Sequence, residues 1–393
     1  MFGGFEAVQS KMAKTVGWLL FGVYFLGVLL VPEIGTRIYV MFTIAPMGNP
    51  LYLEMSQSYP LLKQLLRDWS ALQFGYHDYY VFSPLPNASE TVNFTSYYGA
   101  RATPDSVEQA AAKEIVWAFG GSTMQNLEAD DRLTLANQIA AELNQRQTPA
   151  RVYNFGSGGF QSSLEVAKFQ DLLRRVPQSE WPTTAIFYDG FNEAKHGYYW
   201  RPAAIQQDIS LKMKDLVERD YKRLMTYVVS EMLSRYSAFW RTFIGPRVEK
   251  TLYGSREFPE RKNVRLTVDA YVTNVRMTVG LCRHLNIRCH FFLQPLVATK
   301  SPLTPLEQAA INSLDKDLID FVREFYARAA ETLKGEDGFH DVSHILDREE
   351  GPHFFDLGHT SPFSGVPIGK ALARHILHAN APAEPDPSLS RMR

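Results

Sequence analysis

The sequence predicts a three-layer α/β/α domain around a five-stranded parallel sheet, with a helical cap insertion and an N-terminal transmembrane helix. From about residue 113 onward, short apolar runs alternate with amphipathic helical segments in this 393-residue chain. Strands that alternate with helices pair in parallel, and the helices cover both faces of the sheet. Several runs end in glycine and a polar side chain, and the sites of such sheets form at the carboxyl ends of the strands.

Apolar periodicity places the individual elements in order along the chain. Strands are expected at Ile115–Phe119, Val152–Phe155, Ala185–Tyr188, Ile287–Leu293 and, last, near Asp341–Ile345. Helices are expected at Tyr59–Leu72, Leu133–Arg146, Leu164–Val176 and Val264–Leu285.

The interruption at about 202–262 is too long for a simple connection and must carry its own structure. Apolar residues recur on one helical face, which predicts a helical cap over the site; they are Ile209, Met213, Leu216, Val217, Leu224, Val228 and Met232. Aromatic residues alternate with arginines in the segment 235–247, so an interfacial membrane contact is the alternative to burial there.

The N-terminus predicts a signal anchor that is not cleaved. Lys11 and Lys14 precede the uncharged apolar run 15–31, which is at the short end for a membrane-spanning helix. The lysines orient residues 1–14 toward the cytoplasm and the rest outward. We therefore expect a lead-in region at 32–112, the main domain at 113–380 and a disordered tail, rich in Ala, Pro and Ser, at 381–393.

Composition narrows the classes of partner. Hydrophobic residues make up 45% of the chain and charged residues 21%, which suits a folded domain with a sizeable core. The net charge of -1 leaves no global basic field, so we expect no nucleic-acid partner. Cys282 and Cys289 both fall at core positions; burial explains them, and a disulfide outside the cytoplasm is the alternative.

Ser122 follows an apolar strand and the pair Gly120-Gly121, just before the pattern turns helical. A sharp turn there would hold a hydroxyl at the exposed edge of the sheet, and an ordinary helix N-cap is the other interpretation. Three later segments favour the first. Val152–Phe160 runs from a strand into glycines, Ala185–Glu193 delivers an asparagine amide, and the segment 356–359 carries an aspartate and a histidine.

Taken in order, Ser122, Gly159, Asn192 and His359 resemble the four blocks of the SGNH (GDSL-like) hydrolase superfamily, over roughly 114–377. The resemblance implies an SGNH-like fold in which Ser122 is the nucleophile, His359 the base and then acid, and Asp356 the carboxylate that orients it. The implied oxyanion hole consists of the N–H groups of Ser122 and Gly159 and the amide of Asn192. The family glycine lies five residues after an asparagine, here Asn154, and no cofactor is implied.

Two blocks depart from the family pattern. Gly121 replaces the usual aspartate, and the third block reads Gly-Phe-Asn-Glu, with Asp189 just upstream. Gly-Gly-Ser and the lead-in Gly99-Ala-Arg-Ala-Thr103 resemble membrane-anchored, exported members of the family.

Other candidate residues surround these blocks. His196, Tyr199 and Trp200 are candidates to stack on a sugar ring, although packing explains them equally well. Gln294-Pro295 is assigned to the cleft wall. Histidines and aspartates crowd 340–359, but the spacing matches no metal-binding motif, so no metal site is expected.

These observations predict a membrane-anchored serine esterase that removes or transfers O-acyl groups, with O-acetyl the leading choice, on an extracytoplasmic polysaccharide. The expected partners are the acylated glycan, the membrane through the N-terminal helix, and polysaccharide synthesis or acylation machinery. The alternatives are a lipase or lysophospholipase, and a non-catalytic glycan-binding or scaffold subunit, which the loss of the aspartate at Gly121 motivates.

Overall fold

A computed structural model describes residues 18, 30–37, 57–202, 207–253, 260–351 and 353–379. Contacts divide the chain into two compact units. One comprises Gly48–Gln207 with Glu257–Arg393, and the other comprises Met1–Met47 with Asp208–Arg256.

The larger unit is built on the predicted five-stranded parallel sheet, which is confirmed. Its order is β4-β3-β5-β6-β7, so β3 lies between its two successors and the chain changes direction there. A crevice opens at the carboxyl ends of the strands at such a switch point. The strands are β3 (Glu114–Gly120), β4 (Ala150–Asn154), β5 (Thr184–Asp189), β6 (Arg288–Leu293) and β7 (Phe339–Asp341), preceded by an antiparallel hairpin of β1 (Phe74–His77) and β2 (Val81–Pro84).

Helices cover the sheet as expected, and the Val264–Leu285 helix has the predicted bounds. From residue 59 onward, the α-helices among the described residues are, in chain order, α1 (Leu62–Ala71), α2 (Ser122–Gln125), α3 (Leu135–Gln145), α4 (Ser162–Arg175), α5 (Phe191–Tyr199), α6 (Gln207–Val217), α7 (Tyr221–Tyr236), α8 (Gly245–Tyr253), α9 (Val264–Leu285), α10 (Pro305–Asn312), α11 (Lys316–Leu333) and α12 (Gly365–Ala379).

A row of phenyl rings lies on three neighbouring strands and on Phe155, the residue that follows β4, and all of its members are buried in the core. The ring of Phe119 stacks on Phe155 at 5.6 Å and on Phe187 at 5.2 Å, and Phe187 stacks on Phe291 at 5.0 Å. Such cross-strand aromatic pairs add to the free energy gained from burial alone. They hold β4, β3, β5 and β6 in register, and hence also the loops at their carboxyl ends.

The last strand begins two residues earlier and ends four residues earlier than predicted. β7 ends at Asp341, whereas the sequence placed a strand from Asp341 to Ile345. Asp341 Oδ1 accepts the Ser343 N–H at 3.0 Å, and this side-chain turn ends the strand before the apolar residues that suggested it.

The lead-in region attaches to the edge of the sheet. The Arg101 N–H donates to the Asn154 carbonyl at 2.9 Å, so the lead-in adds a backbone contact to edge strand β4. Covering an edge in this way removes unpaired backbone groups from solvent.

The predicted span at 15–31 lies outside the described residues except for Trp18 and residues 30–31, and so does the predicted tail at 381–393. Within the described part of the chain, no helix combines the length and the apolar character that a bilayer crossing requires.

The smaller unit contains α6, α7 and α8 with a helical segment at 30–37. Glu33 joins the two sequence segments by accepting the N–H groups of Ala238 and Phe239 and the Ser237 hydroxyl, and these bonds lower its pKa to about 2. The predicted apolar face of the insertion is largely exposed. Its members with described side chains include five exposed residues: Met213, Leu216, Val217, Val228 and Met232. Placement of this insertion over the site stays a prediction.

Cys282 and Cys289 form a disulfide between the end of α9 and the start of β6. The disulfide, which the sequence left as the alternative to unpaired core cysteines, is therefore present. The two cysteines are 7 positions apart in the sequence, so the bond closes a short loop.

Three histidines pack together beside this disulfide. His290 Nδ1 lies 3.0 Å from His340 Nε2, and the His340 and His375 rings are 4.1 Å apart. Burial lowers the pKa of His290 to about 3 and that of His340 to about 4, and it lowers the pKa of His375 as well.

This cluster predicts loss of stability in acid. Below about pH 6.5 the unfolded chain binds protons that the folded cluster rejects, so the free energy of unfolding falls as the pH approaches 4. We expect the Tm to drop by about 5–10 °C between pH 7 and pH 4.5. His340→Gln should flatten the dependence in a calorimetric pH series, and His344→Gln, at an exposed site, should not. Parallel curves for wild type and His340→Gln would contradict the assignment.

Candidate active site

Ser122, His359 and Asp356 form a continuous hydrogen-bonded series. Ser122 Oγ lies 2.7 Å from His359 Nε2, and His359 Nδ1 lies 2.7 Å from Asp356 Oδ2. An ionised carboxylate can only accept, so Nδ1 carries a proton, and in the neutral imidazole Nε2 is free to accept the Ser122 hydroxyl proton. The arrangement pairs a nucleophile with a base and the base with a carboxylate that orients it.

The turn between β3 and α2 holds Ser122 at the sheet edge. Gly121 is extended and α2 begins at Ser122. The Ser122 N–H therefore lies in the first turn of the helix, where backbone N–H groups have no intrahelical acceptor. The next residue, Thr123, donates its hydroxyl to Gln294 Oε1 at 3.0 Å. Gln294 is 2% exposed and supports this turn through that bond, and its assignment to the cleft wall stays a prediction.

The loop at 354–360 presents the other two residues. Phe354 and Thr360 pair as an antiparallel bridge, and Asp356 Oδ1 accepts the N–H groups of Gly358 at 2.9 Å and His359 at 2.8 Å. Burial would raise the pKa of Asp356, but these bonds and the charge of His359 hold it below its usual value. The carboxylate therefore stays ionised and fixed against the imidazole.

Three donors remain available for an oxyanion. Asn192 Nδ2 donates one hydrogen to the Phe160 carbonyl at 2.6 Å, which leaves its second hydrogen free to face the site. Among the described residues, the N–H groups of Ser122 and Gly159 have no acceptor, and Gly159 has φ +76, a conformation that favours glycine. Two donors nearby are already used: Gly156 N–H bonds Asn154 Oδ1, and Gly158 N–H bonds Gln125 Oε1.

Glycine at position 121, where the family that the sequence resembles has aspartate, is explained by contact with Asn192. A Cβ at position 121 would lie 2.3 Å from Asn192 Nδ2 and 3.1 Å from the Phe160 carbonyl. The absence of a side chain is therefore what lets the amide bond Phe160 and stay beside the nucleophile turn. In this chain the departure from the family pattern fits a working site as well as a degenerate one.

We expect Gly121→Ala to fold and to lose activity. The added methyl group must push the Asn192 amide aside, and misplacing a catalytic group by about 1 Å costs up to roughly 100-fold in rate. The measurement is kcat/KM for an ester substrate. Gly280→Ala is the matched control, because nothing lies within 4 Å of its added Cβ. Equal activity of the two variants would contradict this account of Gly121.

Glu193, at the second departure from the family pattern, has hydrogen-bond partners that give it a structural role. Its carboxylate accepts the N–H groups of Ser162 at 2.6 Å and Gly190 at 2.9 Å, tying the end of β5 to the start of α4. Burial raises the pKa of Glu193 and of its neighbours Asp189 and Glu165, and it lowers the pKa of Lys168 to about 7. The segment that carries Asn192 is thus anchored from within the core.

The predicted sugar-stacking residues separate into two groups. His196 is only 3% exposed, and its Nδ1 lies 2.6 Å from Gln161 Nε2, so its assignment to substrate was wrong for a buried ring. Burial lowers its pKa to about 3, which keeps it neutral. Tyr199 is 42% exposed and Trp200 is partly exposed, so these two stay predictions.

The histidines and aspartates of 340–359 are dispersed. His340 packs on His290, His344 pairs with Asp347, His353 contacts Ser364, and His359 faces the nucleophile. Across the ranges that the structure describes, no three His, Cys, Asp or Glu side chains converge as metal ligands.

Sequence reasoning missed one charged group in the site. Glu128, on the loop after α2, places Oε1 3.9 Å from His359 Nδ1, and its side chain is 16% exposed. No motif marks this position, because it is the path of the loop that brings the carboxylate to the imidazole.

Comparison with known proteins gave structural likeness alone. No protein-family model matches the chain, and no curated protein matches it. Among solved structures it is similar to an acetylxylan esterase from Geobacillus stearothermophilus, with 13% identity, a TM-score of 0.36, and coverage of 68% of this chain and 96% of the other. It is also similar to an alpha/beta hydrolase enzyme from the metagenome of Lake Arreo, with 12% identity, a TM-score of 0.37, and coverage of 68% and 95%.

A third similar structure is the acetyl xylan esterase AlAXEase, with 10% identity, a TM-score of 0.34, and coverage of 67% and 98%. Identities and TM-scores this low transfer no property to the present chain. Its site is interpreted from its own geometry.

Proposed function

We propose that this protein is a serine esterase of the SGNH type. The observation that carries the proposal is the series Ser122–His359–Asp356, with both bonds at 2.7 Å, beside three available donors at the same edge of the sheet. A nucleophile, an oriented base and an oxyanion site are together what acyl transfer from an ester requires.

The reaction follows from these positions. His359 Nε2 accepts the hydroxyl proton while Ser122 Oγ bonds to the ester carbonyl carbon, and the negative oxygen is held by the N–H groups and the Asn192 amide. The imidazolium then returns its proton to the leaving alcohol oxygen as the ester bond breaks, which leaves an acyl-serine. An incoming hydroxyl, activated by the neutral His359, attacks the acyl carbon and releases Ser122.

The incoming hydroxyl decides between hydrolysis and transfer. Water gives a carboxylic acid, and a sugar hydroxyl gives a new ester, through the same acyl-serine. We propose O-acyl groups, acetyl in particular, on a polysaccharide outside the cytoplasm as the substrate. Support comes from the lysine-flanked apolar run at 15–31 and from the partly exposed rings of Tyr199 and Trp200.

The same support leads us to propose an inner-membrane protein with a single N-terminal span. Its domain would face the periplasm or exterior, where acylated glycans and the machinery that makes them are encountered. No cofactor enters this mechanism.

The test is hydrolysis of p-nitrophenyl esters of two to twelve carbons by the full-length protein in detergent, together with acetate release from acetylated polysaccharides. Rapid turnover of the acetyl ester and release from a glycan would support the proposal. Preference for long acyl chains would favour a lipase. If fluorophosphonate fails to label the folded protein, the esterase assignment is wrong and the glycan-binding alternative gains weight.

A further inference from the structure

A second carboxyl group faces the imidazole of His359. Glu128 Oε1 lies 3.9 Å from Nδ1, the nitrogen that also bonds Asp356 Oδ2 at 2.7 Å. The longer distance is outside hydrogen-bond range, but it is well within the range at which opposite charges stabilise each other. Glu128 Oε2 is fully buried and has no hydrogen-bond partner among the described residues.

Arg101 fixes the loop that carries Glu128. Its guanidinium donates to the carbonyls of Gln125, Asn126 and Ala129, and its Nε bonds Asp131 Oδ1 at 2.9 Å. Arg101 is 1% exposed, so four bonds from one buried cation clamp the loop on both sides of Glu128. The backbone on both sides of Glu128 is therefore held in place, which keeps its side chain near His359 at a site where burial disfavours the charge of an acid.

We propose that Glu128 is a positioning residue that acts on His359 through space, stabilising the imidazolium formed during acyl transfer and making the working pH range depend on its own protonation. This inference rests on the proposed esterase activity. It also gives a role to Arg101 of the lead-in region, which holds the loop whose Glu128 carboxylate faces the general base.

The charges around His359 come from three elements. Asp356 lies on its own loop, Glu128 on the loop after α2, and Lys195 on α5. Burial acts to lower the pKa of His359, and Lys195 acts in the same direction, but Glu128 and then Asp356 outweigh them and raise it to about 9. Burial in turn raises the pKa of Glu128 to about 7, against the opposing effect of the His359 charge.

The direction of the pH dependence follows. The base must be neutral, so a raised pKa confines activity to the alkaline side, and kcat/KM should rise with pH toward about 9. Glu128→Gln removes the nearby charge and should move this limb to lower pH by about one unit or more. It should also lower the plateau rate at high pH by about tenfold, because the imidazolium of the transition state loses a counter-charge.

Two measurements on the full-length protein test this. The first is the pH profile of kcat/KM for p-nitrophenyl acetate. The second is an NMR titration of the His359 ring in the Ser122→Ala background, assigned with His359→Asn, which needs no turnover. Asp130→Asn is the matched control, since it removes the same charge from the same loop, where Asp130 bonds Tyr59 at 2.6 Å. Parallel shifts of limb and titration in Glu128→Gln, absent in Asp130→Asn, would support the proposal.

An active Glu128→Gln enzyme whose limb and His359 titration both stay at wild-type values would overturn the inference and leave the esterase assignment intact. A uniform rate loss without any shift would show a merely structural role and overturn it as well. If Glu128→Gln does not fold, Glu128→Asp replaces it, and a folded Asp variant with an unchanged titration would count against the proposal. Inactive wild-type protein would instead refute the proposed function.

Discussion

Ser122→Ala should abolish turnover, with kcat reduced by about 10⁴-fold or more, the scale found when a hydrolase loses its nucleophile. Ser122 Oγ is the hydroxyl bonded to His359 Nε2, and no other hydroxyl is bonded to that nitrogen among the described residues. His359→Ala should cause a loss of similar size, because the two residues act as one unit. The double variant should therefore be little worse than either single variant.

The measurement is kcat on p-nitrophenyl acetate, with fluorophosphonate labelling followed by peptide mapping. Ser163→Ala is the matched control, since it removes a hydroxyl from the same unit at a partly exposed position of α4. Label on a peptide other than the one containing Ser122, or residual turnover near wild type, would remove Ser122 from the role of nucleophile. The structure would then offer a binding site in place of a catalytic one.

Asn192→Ala should lower kcat by about 100- to 1000-fold with a small change in KM, the cost of one oxyanion donor. One amide hydrogen is used by the Phe160 carbonyl at 2.6 Å, and the other remains for the developing charge on the substrate oxygen. This charge exists mainly in the transition state, so the loss falls on kcat and spares ground-state binding.

Asn274→Ala provides the comparison. Asn274 also donates its amide, to Ser162 Oγ at 3.0 Å, but on α9 and away from Ser122, so its removal should affect stability more than rate. If the loss in Asn192→Ala appeared as a higher KM with kcat unchanged, the amide would be a substrate contact. An unchanged rate would remove it from the oxyanion hole.

Much of the fold could be predicted because buried parallel strands have a distinctive composition. The runs that became β3, β4, β5 and β6 are mostly apolar and mostly buried on both faces, and segments with the 3.6-residue periodicity of helices lie between them. β7 was misplaced because a strand of three residues carries little pattern, and its end is set by the Asp341 side chain. Periodicity also marked the apolar stripe of the insertion, but it does not say what covers that stripe, and its placement over the site stays a prediction.

The candidate site divides in the same way. Ser122, Asn192, Asp356 and His359 could be selected from sequence, because each follows an apolar run or lies in a short polar-glycine segment, and their order is informative. His196 was selected for its nearness to Asn192 along the chain, but α5 turns that side chain into the core. Sequence proximity does not distinguish the two faces of a helix end.

By itself the sequence determined the parallel sheet, the order along the chain of the loops that carry the site, and the chemical types of the residues on those loops. These follow from local periodicity and from glycine at strand ends, which are properties of neighbouring residues. Only the tertiary structure decided the 2.7 Å contacts of the triad, the clash that excludes a side chain at Gly121, the Cys282–Cys289 bond and the approach of Glu128 to His359. Apart from the Asp356–His359 bond, which lies within one loop, each of these joins residues that meet only when separate elements pack, so the information lies in three-dimensional distance.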